Sequence, residues 1–159
     1  MKYLLKNNRD GAAAVYRTTV EMSQDERNIY FNFVAEHSNY YCPYHNYNDI
    51  HSCGDAVEIL IGIDPARKTY YELEVNPDNS KMLAKMTVTE LDGDGAAKLN
   101  IEFVDKKGCF FTSSTAKTSG GYIACIVIDK VRLNMPVEQI YFNAYRLETD
   151  GGEMEKHLF

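Results

Sequence analysis

No tryptophan occurs anywhere in this chain, and no stretch of lysine and arginine stands out among its 17 basic residues. Set against 23 acidic residues, these leave a formal charge of −6. A nucleic-acid or anionic-membrane partner therefore lacks its electrostatic footprint. Long hydrophobic runs are missing too. The opening MKYLLKNNRDG offers only two leucines, far too few for a signal-peptide core, and nothing approaches a membrane span. The expectation is a cytoplasmic protein. There is no Asn-x-Ser/Thr sequon. Cys42, Cys53, Cys109 and Cys125 follow no framework spacing, and in the cytosol they would stay reduced. Helical periodicity is also scarce. The best candidate is "DKVRLN" at 129–134, which Pro136 would stop.

What is present is tyrosine, 12 of them, each with a flat apolar face and a hydroxyl that suit half-buried strands and ligand contact alike. The dominant period is two. In "NIYFNFVAE" Ile29, Phe31, Phe33 and Ala35 share one face. In "DAVEILIGID" Val57, Ile59, Ile61 and Ile63 point one way, and Glu58, Leu60 and Gly62 the other. "TYYELEVN" sets Tyr71, Leu73 and Val75 against Tyr70, Glu72 and Glu74, and "KLNIEFVD" sets Leu99, Ile101 and Phe103 against Asn100, Glu102 and Val104. "YIACIVID" and "QIYFNAYRLE" are apolar on both faces and read as more deeply buried. Turn signals separate the runs: "DP" at 64–65, "NPDN" at 76–79, "DGDG" at 92–95, "KKG" at 106–108 and "SGG" at 119–121. At 159 residues, without repeat or linker, the chain reads as one all-β domain, 1–159. Its predicted architecture is an antiparallel two-sheet β-sandwich.

"GDAVEILIGIDPARKTYYELEVNP" (54–77), followed by "GGYIACIVI" and "IYFNAYR", resembles the family 9 carbohydrate-binding modules and their DOMON-like relatives. The resemblance runs over about residues 15–150 and rests on Asp55 and Glu58, on Asn76 and on Phe142-Asn143, in family order. It implies a non-catalytic protein that binds a small sugar or sugar end-group, with no cofactor. It also implies that Glu58 accepts from sugar hydroxyls, the other reading being a solvated strand residue. Alternation puts Asn143 and Tyr145 on one face of their strand, and these two with Tyr70 and Glu74 complete the expected ligand residues outside the loop. Three departures stand out. The family stacks sugar between tryptophans, which this chain lacks. Glu74 stands where some members carry arginine. The family often continues into a further C-terminal strand, whereas this chain stops at "EKHLF". An exposed sheet edge would follow, and with it a homodimer.

The segment "EHSNYYCPYHNYNDIHSCGD" (36–55) is the densest in functional residue types. His37, Cys42, His45, His51 and Cys53 are zinc-type donors, yet their spacing matches no common finger or knuckle. A Cys–His catalytic pair would need an oxyanion site that nothing in the sequence supplies. The reading preferred is an aromatic loop, in which Tyr44 and Tyr47, with Tyr40 and Tyr41, replace the missing tryptophans. "DGDG" begins like an EF-hand loop, but Ala97 and Phe103 stand at its glycine and glutamate positions. Haem ligation through a Met–His pair, known in relatives of the fold, finds no marked pair here. Arg146 is expected to be structural, pairing with Asp55 or Glu148. Two rival readings stay open: an interaction protein that kept the fold without the sugar, and a zinc-binding β-sandwich using residues 37–53.

Overall fold

The alternating runs do become strands, because each can bury one face only by packing against another sheet. The computed structural model describes residues 1–37, 39–62, 66, 68–91, 97–134, 140–150 and 153–158. Twelve strands and one short helix are assigned: β1 (Lys2–Leu4), β2 (Lys6–Asn7), β3 (Thr18–Gln24), β4 (Asn28–Glu36), β5 (Ala56–Gly62), β6 (Thr69–Val75), β7 (Lys81–Leu91), β8 (Ala97–Phe103), β9 (Phe111–Thr118), β10 (Gly121–Asp129), α1 (Lys130–Leu133), β11 (Tyr141–Asp150) and β12 (Glu153–Leu158). Every pairing is antiparallel. One sheet runs β1-β3-β4-β10-β9, the other β2-β12-β11-β5-β6-β7-β8. The fold is the expected two-sheet sandwich. The helix falls where expected: Asp129 caps its first N–H groups, and Asn134 ends it in the left-handed conformation. Pro136, the turns at 64–65 and 92–95, and Ile63 lie outside the described residues.

The core is the set of inward positions. Ile29, Phe31 and Phe33 of β4, with Tyr122, Ala124, Ile126 and Ile128 of β10, face Val57, Ile59, Ile61, Leu73, Val75 and Leu83 across the sandwich. Each of the larger aliphatic and phenyl side chains contributes about 1.5–3 kcal/mol by leaving water. The tight return into β10 needs Gly121. Its φ is +151°, and a Cβ there would lie 1.9 Å from the Ala35 carbonyl oxygen.

Four expectations need correction. The second apolar face of β10 is not buried, since Ile123 is 41% exposed. Asn143, in the strand expected to be buried on both faces, is exposed. The apolar set of β8 faces away from the core, with Leu99, Ile101 and Phe103 all exposed. This strand ends the seven-stranded sheet and lies beyond the reach of the five-stranded one. Finally, the C-terminal strand expected to be missing is there: β12 pairs with β11 along its length and then with β2. The edge on which a homodimer was expected is therefore occupied.

Arg146 is fully buried at one end of the sandwich. Its guanidinium donates to Thr18 Oγ1 at 2.8 Å and to the Glu36 carbonyl at 2.7 Å. It lies 3.8 Å from Asp55 and 3.6 Å from Glu148, so both expected partners share it. Asp55 also accepts from Thr149 Oγ1 and from the Tyr41 N–H. Burial nevertheless pushes its carboxyl above the ordinary range. The network ties β3, β4 and β11 to the 37–55 segment.

Candidate functional site

Parity of the strands builds the outer face of the seven-stranded sheet. Three cross-strand ladders lie side by side there. The first reads Tyr145–Glu58–Glu74–Met82, the second Asn143–Leu60–Glu72–Ala84–Phe103, and the third Tyr141–Gly62–Tyr70–Met86–Ile101. Five of the expected ligand residues, Glu58, Glu74, Tyr70, Asn143 and Tyr145, are thus brought together on neighbouring positions of one surface. Two further participants escaped the sequence reading, Tyr141 and Glu72.

The third ladder has the most informative shape. Gly62 leaves the middle strand without a side chain, while Tyr141 and Tyr70 rise from the strands on either side. Two strand spacings separate those tyrosines, about 10 Å. Contact on both faces of an inserted ring needs about 7–8 Å between the flanking ring planes, so the two phenols must lean together by about 2–3 Å. A depression of about 380 Å³ opens here, lined by Leu60, Gly62, Tyr70, Tyr141, Phe142 and Asn143. A Cβ added at Gly62 would meet the Tyr141 Cβ at 3.3 Å, so even alanine narrows it. The Tyr70 phenol ionises above its ordinary range, first because it is partly buried and then because Glu72 and Glu58 are charged nearby.

Beside the tyrosines, the carboxylates of Glu58, Glu72 and Glu74 all offer oxygens within 4.8 Å of one another. Glu58 is only 2% exposed and Glu74 only 4%, so the solvated-strand reading of Glu58 does not hold. His51 accounts for part of the cover. Fully buried, it sets Nδ1 3.0 Å from Glu74 Oε2, and its backbone N–H donates to the same oxygen at 3.2 Å. Tyr44 packs edge-on against that imidazole, with ring centroids 5.5 Å apart.

The 37–55 segment disperses its aromatic and metal-type side chains. It is tied to the sheet by backbone and amide bonds: Asn48 exchanges bonds with Lys81 and Leu83, and Asn76 donates to the Tyr44 carbonyl. Tyr40 packs against Tyr122 of the core, and Tyr41 stays exposed. Tyr44 borders the outer face. Tyr47 turns elsewhere and donates its hydroxyl to the Val104 carbonyl at 3.1 Å. The zinc-type donors do not converge either. His37 stacks on Tyr16 and lies 3.3 Å from Glu148, whereas His51 serves Glu74. Cys53 is exposed, and burial pushes the Cys42 thiol up to about 12, away from the thiolate that a metal requires. Among the described residues the one cluster of metal-type donors is the glutamate trio itself. No helix among them is long and apolar enough to cross a membrane.

Neither a protein-family model nor a curated protein sequence matches the chain. Solved structures do. A candidate carbohydrate-binding protein from Bacteroides uniformis superposes with a TM-score of 0.76 at 11% identity, covering 99% of this chain and 75% of that one. A family 9 carbohydrate-binding module from Caldicellulosiruptor kristjanssonii, solved with cellotriose, gives 0.67 at 14% identity, covering 99% and 71%. A family 9 module from the same organism, solved with glucose, gives 0.63 at 15%, covering 97% and 72%. The chain has the fold of the family 9 carbohydrate-binding modules.

Proposed function

We propose that the protein is a non-catalytic binder of a small carbohydrate, which it takes on the outer face of the seven-stranded sheet. The observation that carries this reading is the pair Tyr70 and Tyr141 standing on either side of Gly62 and lining one depression. A pyranose inserted between them would rest its C–H faces on two phenol rings. Asn143, one ladder away, would supply an amide donor and acceptor to its hydroxyls. The glutamates, with Glu58 and Glu74 most deeply set, would accept from others through charge-assisted bonds. Tyr145 and Tyr44 would close the far side of the surface. Tyr47, on the other side of the segment, has no part in it. The rival reading, an interaction protein that kept the fold, drew its support from the missing tryptophans. A tyrosine pair about 10 Å apart across a strand position without a side chain weakens that support.

The ligands solved with structures of this fold, glucose and cellotriose, supply the probes. Calorimetric titration is expected to detect one or both at millimolar concentration or below. Tyr141→Ala and Tyr70→Ala should each weaken binding about tenfold, which corresponds to about 1.4 kcal/mol. Gly62→Val should abolish binding, by filling the slot with a branched side chain, while far-ultraviolet circular dichroism stays β-rich. Binding that survives Gly62→Val unchanged would remove the slot from the mechanism. No binding of any mono- or disaccharide would return the interaction-protein reading.

A further inference from the structure

Lys81 opens β7 opposite Val75, a core residue, so its side chain leaves the sheet on the inner side. It reaches over Phe111, the first residue of β9 in the other sheet, with Nζ 5.6 Å from the ring centroid. Nearby, Lys106 holds Nζ 5.8 Å from the centre of the Tyr47 ring. These two pairs, with His45 and Ser80, line a cleft of about 390 Å³ at the mouth between the sheets. That size falls within the range of about 300–1,000 Å³ usual for small-molecule sites.

The two hydroxyl groups of this mouth are already committed. Tyr47 donates to Val104, and Ser80 Oγ donates to the Asn46 carbonyl at 2.7 Å. The nearest acids are engaged by backbone: Asp49 accepts from the N–H groups of His45 and Asn46, and Asp105 accepts from Gly108. Among the described residues no carboxylate lies within ion-pair distance of Lys81 or Lys106. In a chain of net charge −6, two ammonium groups without a carboxylate partner share one aromatic-walled cleft.

We propose that this mouth is a second ligand site, selective for an anionic saccharide unit whose carboxylate or sulfate group lies between the two ammonium groups. A bare ion would leave most of the cleft empty. The lysine stems, Phe111 and Tyr47 offer apolar walls to the carbon skeleton of a sugar, and the cations fix its charged end. The site stands apart from the outer face, which is acidic and would repel such a ligand. It does not depend on the reading given there.

The test is a nuclear magnetic resonance titration of the full chain at low ionic strength with glucuronate, glucose 6-sulfate, glucose and inorganic sulfate. Glucuronate, glucose 6-sulfate or both are expected to bind at least about tenfold tighter than glucose does at the mouth. Their shifts should centre on the amides of Ser80, Lys106 and Phe111, and the stronger of the two names the preferred anion. Lys106→Met, at an exposed position, and the double variant Lys81→Met/Lys106→Met should weaken binding in steps. Lys81→Arg/Lys106→Arg should keep it, and glucose binding at Tyr70 and Tyr141 should not change. The proposal is overturned if glucose binds the mouth as tightly as the acids, or if the double methionine variant binds them unchanged. Inorganic sulfate binding as tightly as either sugar would overturn it as well.

Discussion

The outer face and the mouth share strand β7, yet they differ in sign and in how their charges are held. Lys81 points inward to the mouth, and Met82, the next residue, points outward into the ladder of Glu74 and Glu58. On the outer face two of the three glutamates are buried, and His51 braces one of them. At the mouth the two lysines stay in reach of solvent, each over an aromatic ring. The difference shows where each region's rigidity comes from. A buried carboxylate must be held by designed partners, or it would take up a proton. A half-exposed ammonium on a flexible stem needs no such support and can wait for a counter-charge.

If that contrast is right, the largest effect of a single change belongs to the braced region. His51→Ala removes a fully buried side chain and one partner of Glu74. It should destabilise the protein by about 2–4 kcal/mol in urea denaturation. A loss below about 0.5 kcal/mol would mean that the outer face is merely a solvated acidic surface. A smaller effect is expected at the mouth. Tyr47→Phe deletes one hydrogen bond to Val104 and should cost about 1 kcal/mol, with glucose affinity unaltered. A change in glucose affinity would join the two regions into one site.

The smallest effect sharpens the electrostatics. Glu72→Gln removes one of the charges that hold the Tyr70 phenol in its proton-bearing form, so the Tyr70 pKa should fall towards its ordinary value of about 10. A group whose folded pKa is raised adds stability that is full below the unfolded pKa and is lost as pH rises through the folded one. The variant should therefore lose less stability between pH 10 and the Tyr70 transition than the parent does. Carbon-13 spectra of ring-labelled tyrosine, followed with pH, would show the shift. An unmoved Tyr70 would place the charge of Glu72 too far from the slot to matter.

Much of the outer face was legible because strand parity is local. Reading "TYYELEVN" in twos puts Tyr70 with Glu74, and "IYFNAYR" in twos puts Asn143 with Tyr145. The slot itself was not legible. That Gly62 stands between Tyr70 and Tyr141 is a matter of register across β6, β5 and β11, and β11 is distant in the chain. The mouth was hidden for the same reason, since Lys81, Lys106 and Phe111 meet only when the sheets close. The histidines and cysteines of 37–55 show the opposite case. Close in sequence, they are separated because the backbone of the segment is spent on bonds to β7 and to the 76–80 turn. The final strand was missed because "EMEKHL" carries too many charges to resemble a core strand.

Strand β6 carries core residues at Tyr71, Leu73 and Val75 and the outer-face residues Tyr70, Glu72 and Glu74 of the proposed site, in strict alternation. Inserting or deleting one residue there would exchange the two sets, so the fold and the site would fail in the same event. Substitution at Tyr70 or Glu72, by contrast, alters the outer surface and leaves the inward set untouched, whereas Glu74 is buried and held by His51. The strand thus behaves like a page printed on both sides, one side fixed by packing and the other open to revision. A protein built this way can exchange one ligand for another over many substitutions without passing through an unfolded ancestor.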